Sequence, residues 1–255
     1  MRWIRDIQRR YSAAGGQVLA GGVALYGFLS LFALLVLAVA VLGFLSAGDA
    51  NLPQRIVNDL GLSGDAARIV TDGVAAARRS RGVTTVVSSI GILWLGTSLA
   101  VAIASVYNAA WGVSGRGARD RLVGLLWLAG ATVLLVAAGY ATVLWRVLPG
   151  VLAPVTVILT LVGNAAVLLW TSWLLPNRRA PLHALLIPSL MGAVALEVLK
   201  VVGGYVVPHY VSSSSELYGA IGVVFALLLW LLVFGRLLVY IAVIEVKRAR
   251  QHAEV

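Results

Sequence analysis

Long apolar segments alternate with short polar ones along the chain. Six segments hold enough apolar residues, about 20, to cross a bilayer as a helix. They cover residues 18–46, 83–113, 122–145, 151–175, 182–207 and 217–243. The pattern predicts an all-α, polytopic membrane protein with six transmembrane helices. We treat residues 1–255 as a single membrane domain.

The segment between the first two spans, residues 47–82, has a different pattern. Ser63 is a suitable N-cap, and Ala66, Val70 and Val74 follow at helical spacing, with charged residues elsewhere around the helix. This predicts one or two amphipathic helices on the outer membrane surface or against the bundle. The alternative is a solvated helical hairpin with a small core of its own.

The basic residues of the short connections predict the orientation of the spans. If the N-terminus is inside, twelve basic residues fall on the inner side and Arg146 alone falls in the outer short loops. The twelve are Arg2, Arg5, Arg9, Arg10, Arg116, Arg119, Arg121, Arg178, Arg179, Lys247, Arg248 and Arg250. Because loops rich in Lys and Arg stay in the cytoplasm, both termini are predicted to be cytoplasmic.

Composition agrees with a membrane protein. The chain is 60% hydrophobic and only 12% charged, whereas soluble domains have about 25% charged residues. The formal net charge of +10 would suggest nucleic acid in a soluble protein. Here most basic residues flank apolar segments, so we expect anionic lipid headgroups as partners and no nucleic acid. The chain has no cysteine, which excludes disulfides and thiolate metal sites.

Several spans carry polar residues at helical spacing. Thr160 and Asn164 lie one turn apart in the fourth span, Tyr26 and Ser30 one turn apart in the first, and Asn108 ends a polar face of the second. Such residues are expected to face other helices or a wet cavity rather than lipid. The simpler interpretation is hydrogen bonding between helices, worth roughly 0.6 kcal/mol per contact.

Glu197 and Lys200 are ionisable residues that lie inside the fifth apolar span, which makes them the main candidates for function. Their spacing puts them on one helix face, where they can pair. Charges at membrane depth cost about 2.5–3.5 kcal/mol on insertion scales, so they usually face the protein interior or water. One interpretation is an ion pair that fixes helix positions. The other is a polar site open to the outer side, where Tyr218 is also expected.

Motifs for catalysis and cofactor binding are missing from the sequence. There is no P-loop, no HExxH and no GxSxG. His183, His209 and His252 are predicted on different sides of the membrane and cannot form one metal site. We therefore expect neither an enzyme nor a bound cofactor or metal.

Four segments in order resemble the YihY/virulence factor BrkB family of bacterial inner-membrane proteins. "ALYGFLSLFALLVLAVAVLGF" is similar to the family's first span, with Tyr26 and Ser30 in place, although Ala33 stands where the family usually has proline. "SVYNAAWGV" resembles the Asn-x-x-Trp ending of the second span, with Asn108 and Trp111.

The third and fourth segments carry the charged residues. "IPSLMGAVALEVLKVVGGYVVPHY" resembles the fifth span, with Glu197, Lys200 and Tyr205 matching the family pattern. "ELYGAIGVVFALLLW" resembles the start of the sixth, with Tyr218 matching. Glu245 falls where the family has Gly-Ala-Glu. The resemblance implies six spans, an outer helical loop and a location in the bacterial inner membrane.

We therefore expect a transporter-like or flippase-like envelope protein that handles a lipid or an amphipathic solute. The alternative is a non-catalytic scaffold or assembly factor with a structural ion pair. Some family members carry an old ribonuclease label, but no metal constellation or soluble catalytic domain in this sequence supports that activity. The candidate polar cavity comprises Glu197, Lys200, Asn164, Thr160, Tyr26, Ser30, Asn108, Tyr205 and Tyr218.

Overall fold

Seven helices and no strand make up the part of the chain that the structure describes. The computed structural model describes the backbone of residues 2–45, 83–146, 153–218 and 220–253. It describes side chains within residues 3–31, 94–134, 137, 155, 157–205 and 224–251. The predicted amphipathic helices of residues 47–82 lie outside these ranges. Within them, the architecture is all-α, as predicted.

The helices follow the apolar segments closely. Each of the six predicted spans matches one of the helices α2 to α7, and α1 precedes them. Their bounds are α1 Arg2–Ala13, α2 Gly16–Leu45, α3 Val83–Trp111, α4 Arg119–Arg146, α5 Ala153–Leu174, α6 Leu182–Tyr218 and α7 Ala220–Ala253. Apolar sequences of this length favour helices, because a helix satisfies its own backbone hydrogen bonds where water is absent.

Three helices within the described residues are long and apolar enough to cross a membrane, over Val157–Leu174, Leu182–Tyr205 and Val224–Gln251. A fourth crossing is counted if α1 and the start of α2, which are bent by 66° at their junction, form one broken span. The bend follows from Gly15, whose φ of 67° is readily adopted by glycine. The total of six crossings and the side of each terminus stay predictions.

Two stretches differ from the sequence-based expectation. Helix α1 was not predicted, although Trp3, Ile7 and Tyr11 recur at helical spacing. The run from Ser212 to Ser215, which falls between the predicted spans 182–207 and 217–243, lies within α6. Serine is a moderate helix former, and no glycine interrupts α6 between this run and Tyr218, so the helix continues.

The chain folds into two compact units. One consists of residues 1–28 and 97–255, and the other of residues 29–96. In the first unit, α4 packs on α5, α5 on α6, and α6 on α7, while α1 also packs on α7. Its core includes Tyr107, Leu168, Val239 and Ile241. In the second unit, Ser30 Oγ donates a hydrogen bond to the carbonyl oxygen of Leu95 at 3.3 Å.

Two glycines allow close helix packing in the first unit. A Cβ at Gly192 of α6 would lie 2.6 Å from Ile241 Cδ1 and 2.8 Å from Leu168 Cδ1. A Cβ at Gly235 of α7 would lie 2.5 Å from the carbonyl oxygen of Ala20 in α2. Small residues let helices approach closely in this way.

Helix α1 lies against the C-terminal half of α7. Asp6 pairs with Lys247 at 2.8 Å, and Tyr240 Oη donates a hydrogen bond to Gln8 Oε1 at 2.8 Å. The rings of Tyr11 and Tyr240 stack with centroids 4.6 Å apart. The hydrogen bond from Lys247 is the main cause that lowers the pKa of Asp6 from its ordinary value.

Candidate functional site

A three-residue polar cluster joins α5 and α6 within their apolar segments. Asn164 Nδ2 donates to Glu197 Oε1 at 2.7 Å. Lys200 Nζ donates to Glu197 Oε1 at 3.1 Å and to Asn164 Oδ1 at 3.2 Å. The three side chains therefore form a closed triangle of hydrogen bonds, which we call the Asn164 triad.

The triad lies well inside both helices. Glu197 and Lys200 are three residues apart on one face of α6. They are fifteen and eighteen residues into α6, which begins at Leu182, and Asn164 is eleven residues into α5, which begins at Ala153. The packing of α5 on α6 brings the three side chains together.

The triad is only partly covered by protein. The side chain of Lys200 is 54% exposed and that of Glu197 is 26% exposed. One positive and one negative group make the ion pair neutral, and the Asn164 amide supplies a donor to one and an acceptor to the other. The arrangement can hold an ion pair in an apolar segment and still present charged atoms to a ligand or to water.

A second polar cluster is fully buried, between α3, α5 and α7. Ser172 Oγ donates a short hydrogen bond of 2.5 Å to Glu245 Oε1, and the Tyr107 hydroxyl lies 3.3 Å from Ser172 Oγ. Glu245 is 0% exposed, and its Oε2 has no hydrogen-bond partner within the described part of the chain. No Lys or Arg among the described side chains forms a salt bridge with it.

The comparisons with known proteins support one family. The family model "Virulence factor BrkB" matches residues 7–254, which is nearly the whole chain. The chain belongs to the BrkB family. Searches among curated proteins and among solved structures gave no match.

Membership in the BrkB family, together with the long apolar helices, makes the chain an integral membrane protein. In this BrkB-family chain, Glu245 is the functional candidate that sequence reasoning missed. Its position matched a family feature, but it was not included in the predicted cavity. A carboxyl group within the apolar sequence from Leu237 to Val246 was the available signal, because carboxylates are rarely buried without a partner.

The other predicted cavity residues have surroundings of their own where the structure describes their side chains. Thr160 Oγ1 donates to its own helix, at 2.9 Å from the Val157 carbonyl oxygen. Tyr205, five residues beyond Lys200, is 78% exposed. Tyr26 is 38% exposed in α2. Tyr218 is the last residue of α6, and its side chain lies outside the described residues.

Asn108 lies far from the triad, at the C-terminal end of α3. Its Oδ1 accepts a hydrogen bond from the backbone nitrogen of Asn177 at 2.7 Å. Asn177 is five residues before α6 begins at Leu182, whereas Glu197 is fifteen residues into that helix, or about 22 Å along its axis. Asn108 therefore joins the end of α3 to the connection between α5 and α6. Ser30 belongs to the other unit.

A metal site is not formed by the residues that the structure describes. No group of three or more His, Asp or Glu side chains comes together there. Arg236 is exposed on α7 and lies close enough to Tyr11 of α1 for its charge to act on the phenol. Burial raises the pKa of Tyr11, and the positive charge of Arg236 opposes that rise.

Proposed function

We propose that this BrkB-family chain is a transporter-like or flippase-like protein that moves a lipid or an amphipathic envelope solute. It crosses the bacterial inner membrane six times, with both termini in the cytoplasm, and acts as a carrier rather than an enzyme. The observation that carries this proposal is the half-exposed Asn164 triad inside two apolar helices.

Lys200 and Glu197 carry charged groups within an apolar segment. Their charged groups lie at a depth where contact with lipid tails costs several kcal/mol, yet more than half of the Lys200 side chain is exposed. A wet pathway along α5 and α6 would remove that cost. A polar headgroup could then replace one partner of the ion pair. A phosphate could take the place of Glu197 beside Lys200, or an amine could take the place of Lys200 beside Glu197.

The second candidate function is a membrane scaffold or assembly factor. The closed hydrogen-bond triangle favours it, because Asn164 satisfies both charged partners without any ligand. In that case the triad fixes the register of α5 on α6, and the exposed surface contacts another membrane protein. Polar residues between helices commonly have this structural role.

Cysteine accessibility separates the two functions, since the chain has no native cysteine. Val194 and Val201 are exposed and lie about one turn on either side of Glu197, so V194C and V201C leave the triad intact. Exposed Val133 of α4 supplies the control V133C, and S212C reports the predicted outer side. Intact cells are treated with a membrane-impermeant maleimide.

Labelling of V194C and V201C, but not of V133C, supports a water-filled pathway and transport. Labelling of S212C alone means that the triad is dry, and the scaffold is then the better model. A second measurement follows fluorescent phospholipid movement across vesicles containing the purified chain. Transport requires that the double variant Glu197→Gln, Lys200→Met is slower than the control Val201→Thr, with both folded.

A further inference from the structure

Two connections meet at the end of the helix bundle that is away from the Asn164 triad. One joins α3 to α4 over residues 112–118, and the other joins α5 to α6 over residues 175–181. Helix α3 ends in a Schellman motif, with Gly112 N bonded to the Ala109 oxygen at 3.1 Å and Val113 N to the Asn108 oxygen at 2.9 Å. This ending directs the chain toward Arg116.

Arg116 is held in place by both connections. Its Nε donates to Asn177 Oδ1 at 2.9 Å, and its Nη2 donates to the Pro176 carbonyl oxygen at 2.6 Å. Its backbone nitrogen donates to Asp120 Oδ2 at 2.8 Å. The guanidinium is therefore oriented before any ligand binds, and its buried Nη1 has no hydrogen-bond partner among the described residues.

A cavity of about 270 Å³ lies beside this guanidinium. It is lined by two arginines and three apolar residues: Arg116, Arg179, Val123, Trp173 and Leu174. The lining contains no carboxylate. The cavity thus combines two positive side chains, of which Arg116 is held in place, with an apolar wall, in a protein whose net charge is +10.

The position of the cavity fits a lipid headgroup. Val123 is four residues into α4, and Leu174 is the last residue of α5, so the cavity lies at the polar ends of apolar helices. Trp173 is partly exposed, and tryptophan is enriched at the level of lipid headgroups. Next to Val123, Leu122 and Leu126 are exposed apolar side chains on α4 that acyl chains can contact.

We propose that this cavity binds the phosphate group of an anionic phospholipid. Arginine forms planar, paired hydrogen bonds with phosphate oxygens. Such directed bonds distinguish the cavity from a diffuse basic surface. The site is separate from the Asn164 triad, because Asn164 and Leu174 are ten residues apart on α5, or about 15 Å. Lipid binding in the cavity is therefore independent of whether the triad transports a solute or only fixes the helices.

The test uses the full chain in detergent and native mass spectrometry with dioctanoyl-phosphatidylglycerol, dioctanoyl-phosphatidylcholine or inorganic phosphate. Arg179→Gln removes one lining charge, and exposed Arg119→Gln removes a charge at the same end but outside the cavity. Phosphatidylglycerol is expected to bind the parent and Arg119→Gln with similar affinity. It should bind Arg179→Gln about tenfold more weakly, the effect of losing one charge-assisted hydrogen bond.

Three outcomes would overturn the proposal. Equal weakening in both variants would mean that the basic surface acts as a whole and the cavity has no special role. Equal binding of phosphatidylcholine and phosphatidylglycerol would remove the requirement for an anionic lipid. Inorganic phosphate could also bind with the same affinity as phosphatidylglycerol and be weakened by Arg179→Gln to the same extent. That result would assign the cavity to a soluble phosphate instead. Arg116→Lys, which keeps the charge but not the paired geometry, should also weaken phosphatidylglycerol binding.

Discussion

Asn164 of α5 donates its amide to Glu197 Oε1 of α6 at 2.7 Å, across a separation of 33 residues in the chain. The same amide group accepts a hydrogen bond from Lys200 through Oδ1. One uncharged side chain therefore completes the contacts of an ion pair that the fifth apolar segment could not stabilise by itself. This relationship makes Asn164 the residue on which the stability of the triad depends.

Replacing Asn164 should destabilise the protein more than replacing its neighbour on the same stripe. Asn164→Leu removes two hydrogen bonds to charged groups, so we expect a loss of about 1–3 kcal/mol in unfolding free energy. Thr160→Val is the matched control, because the Thr160 hydroxyl bonds only to its own helix at Val157. Thermal unfolding of the purified chain in detergent measures both. Similar melting temperatures for the two variants would contradict a stabilising role of Asn164.

Replacement of the buried Glu245 by glutamine should preserve stability, whereas loss of its hydrogen-bond donor, Ser172, should not. Glu245→Gln keeps an oxygen that accepts from Ser172. It also removes any negative charge from a side chain that forms no salt bridge among the described residues, so stability should be kept or raised. Ser172→Ala leaves Glu245 Oε1 without its donor and should cost about 1–3 kcal/mol. Thermal unfolding at neutral pH checks both. A large loss of stability in Glu245→Gln, with Ser172→Ala unchanged, would mean that Glu245 functions as a charged group.

The docking of α1 on α7 should weaken in acid. The pKa of Asp6 is lowered in the folded protein, chiefly by the hydrogen bond from Lys247. A lowered carboxyl pKa contributes stability above the unfolded value, about 3.9, and that contribution is lost as pH falls through the folded value. We expect the amides of α1 to lose protection from hydrogen exchange below about pH 4, after correction for intrinsic rates.

Asp6→Asn should show this weakened docking already at pH 7 and should have no further acid-dependent loss from this site. Its control is Arg9→Gln, which changes an exposed charge of α1 without altering the contact to Lys247. Unchanged protection of α1 in Asp6→Asn would show that the stacking of Tyr11 on Tyr240 is sufficient to hold the helix.

Two glycine variants test the helix packing. A Cβ at Gly235 would lie 2.5 Å from the Ala20 carbonyl oxygen, so Gly235→Ala must displace backbone and should cost about 1–3 kcal/mol. Gly22→Ala meets no atom within 4 Å and should be neutral or stabilising by up to about 1 kcal/mol, since alanine favours helix. Equal melting temperatures would contradict the close approach of α2 and α7 at Gly235.

Apolar length and charge placement determined much of this protein from sequence alone. The uncharged run after Arg10 and the long segments of α5, α6 and α7 require helices, because backbone polar groups need internal partners in hydrocarbon. The spacing of Glu197 and Lys200 also determined that they share a face, since a helix turns every 3.6 residues. Helix ends were less certain, as the serine run within α6 demonstrates.

Only the tertiary structure decided which helices meet and at which rotation. Nothing in the pattern of α5 indicates that Asn164, rather than Thr160, contacts Glu197, because both lie on one stripe and one turn apart. The burial of Glu245 against Ser172 and the hydrogen bond from Arg116 to Asn177 likewise join residues from separate segments. Hydropathy measures how apolar a helix is along its length, whereas such contacts depend on packing between helices, which no single segment encodes.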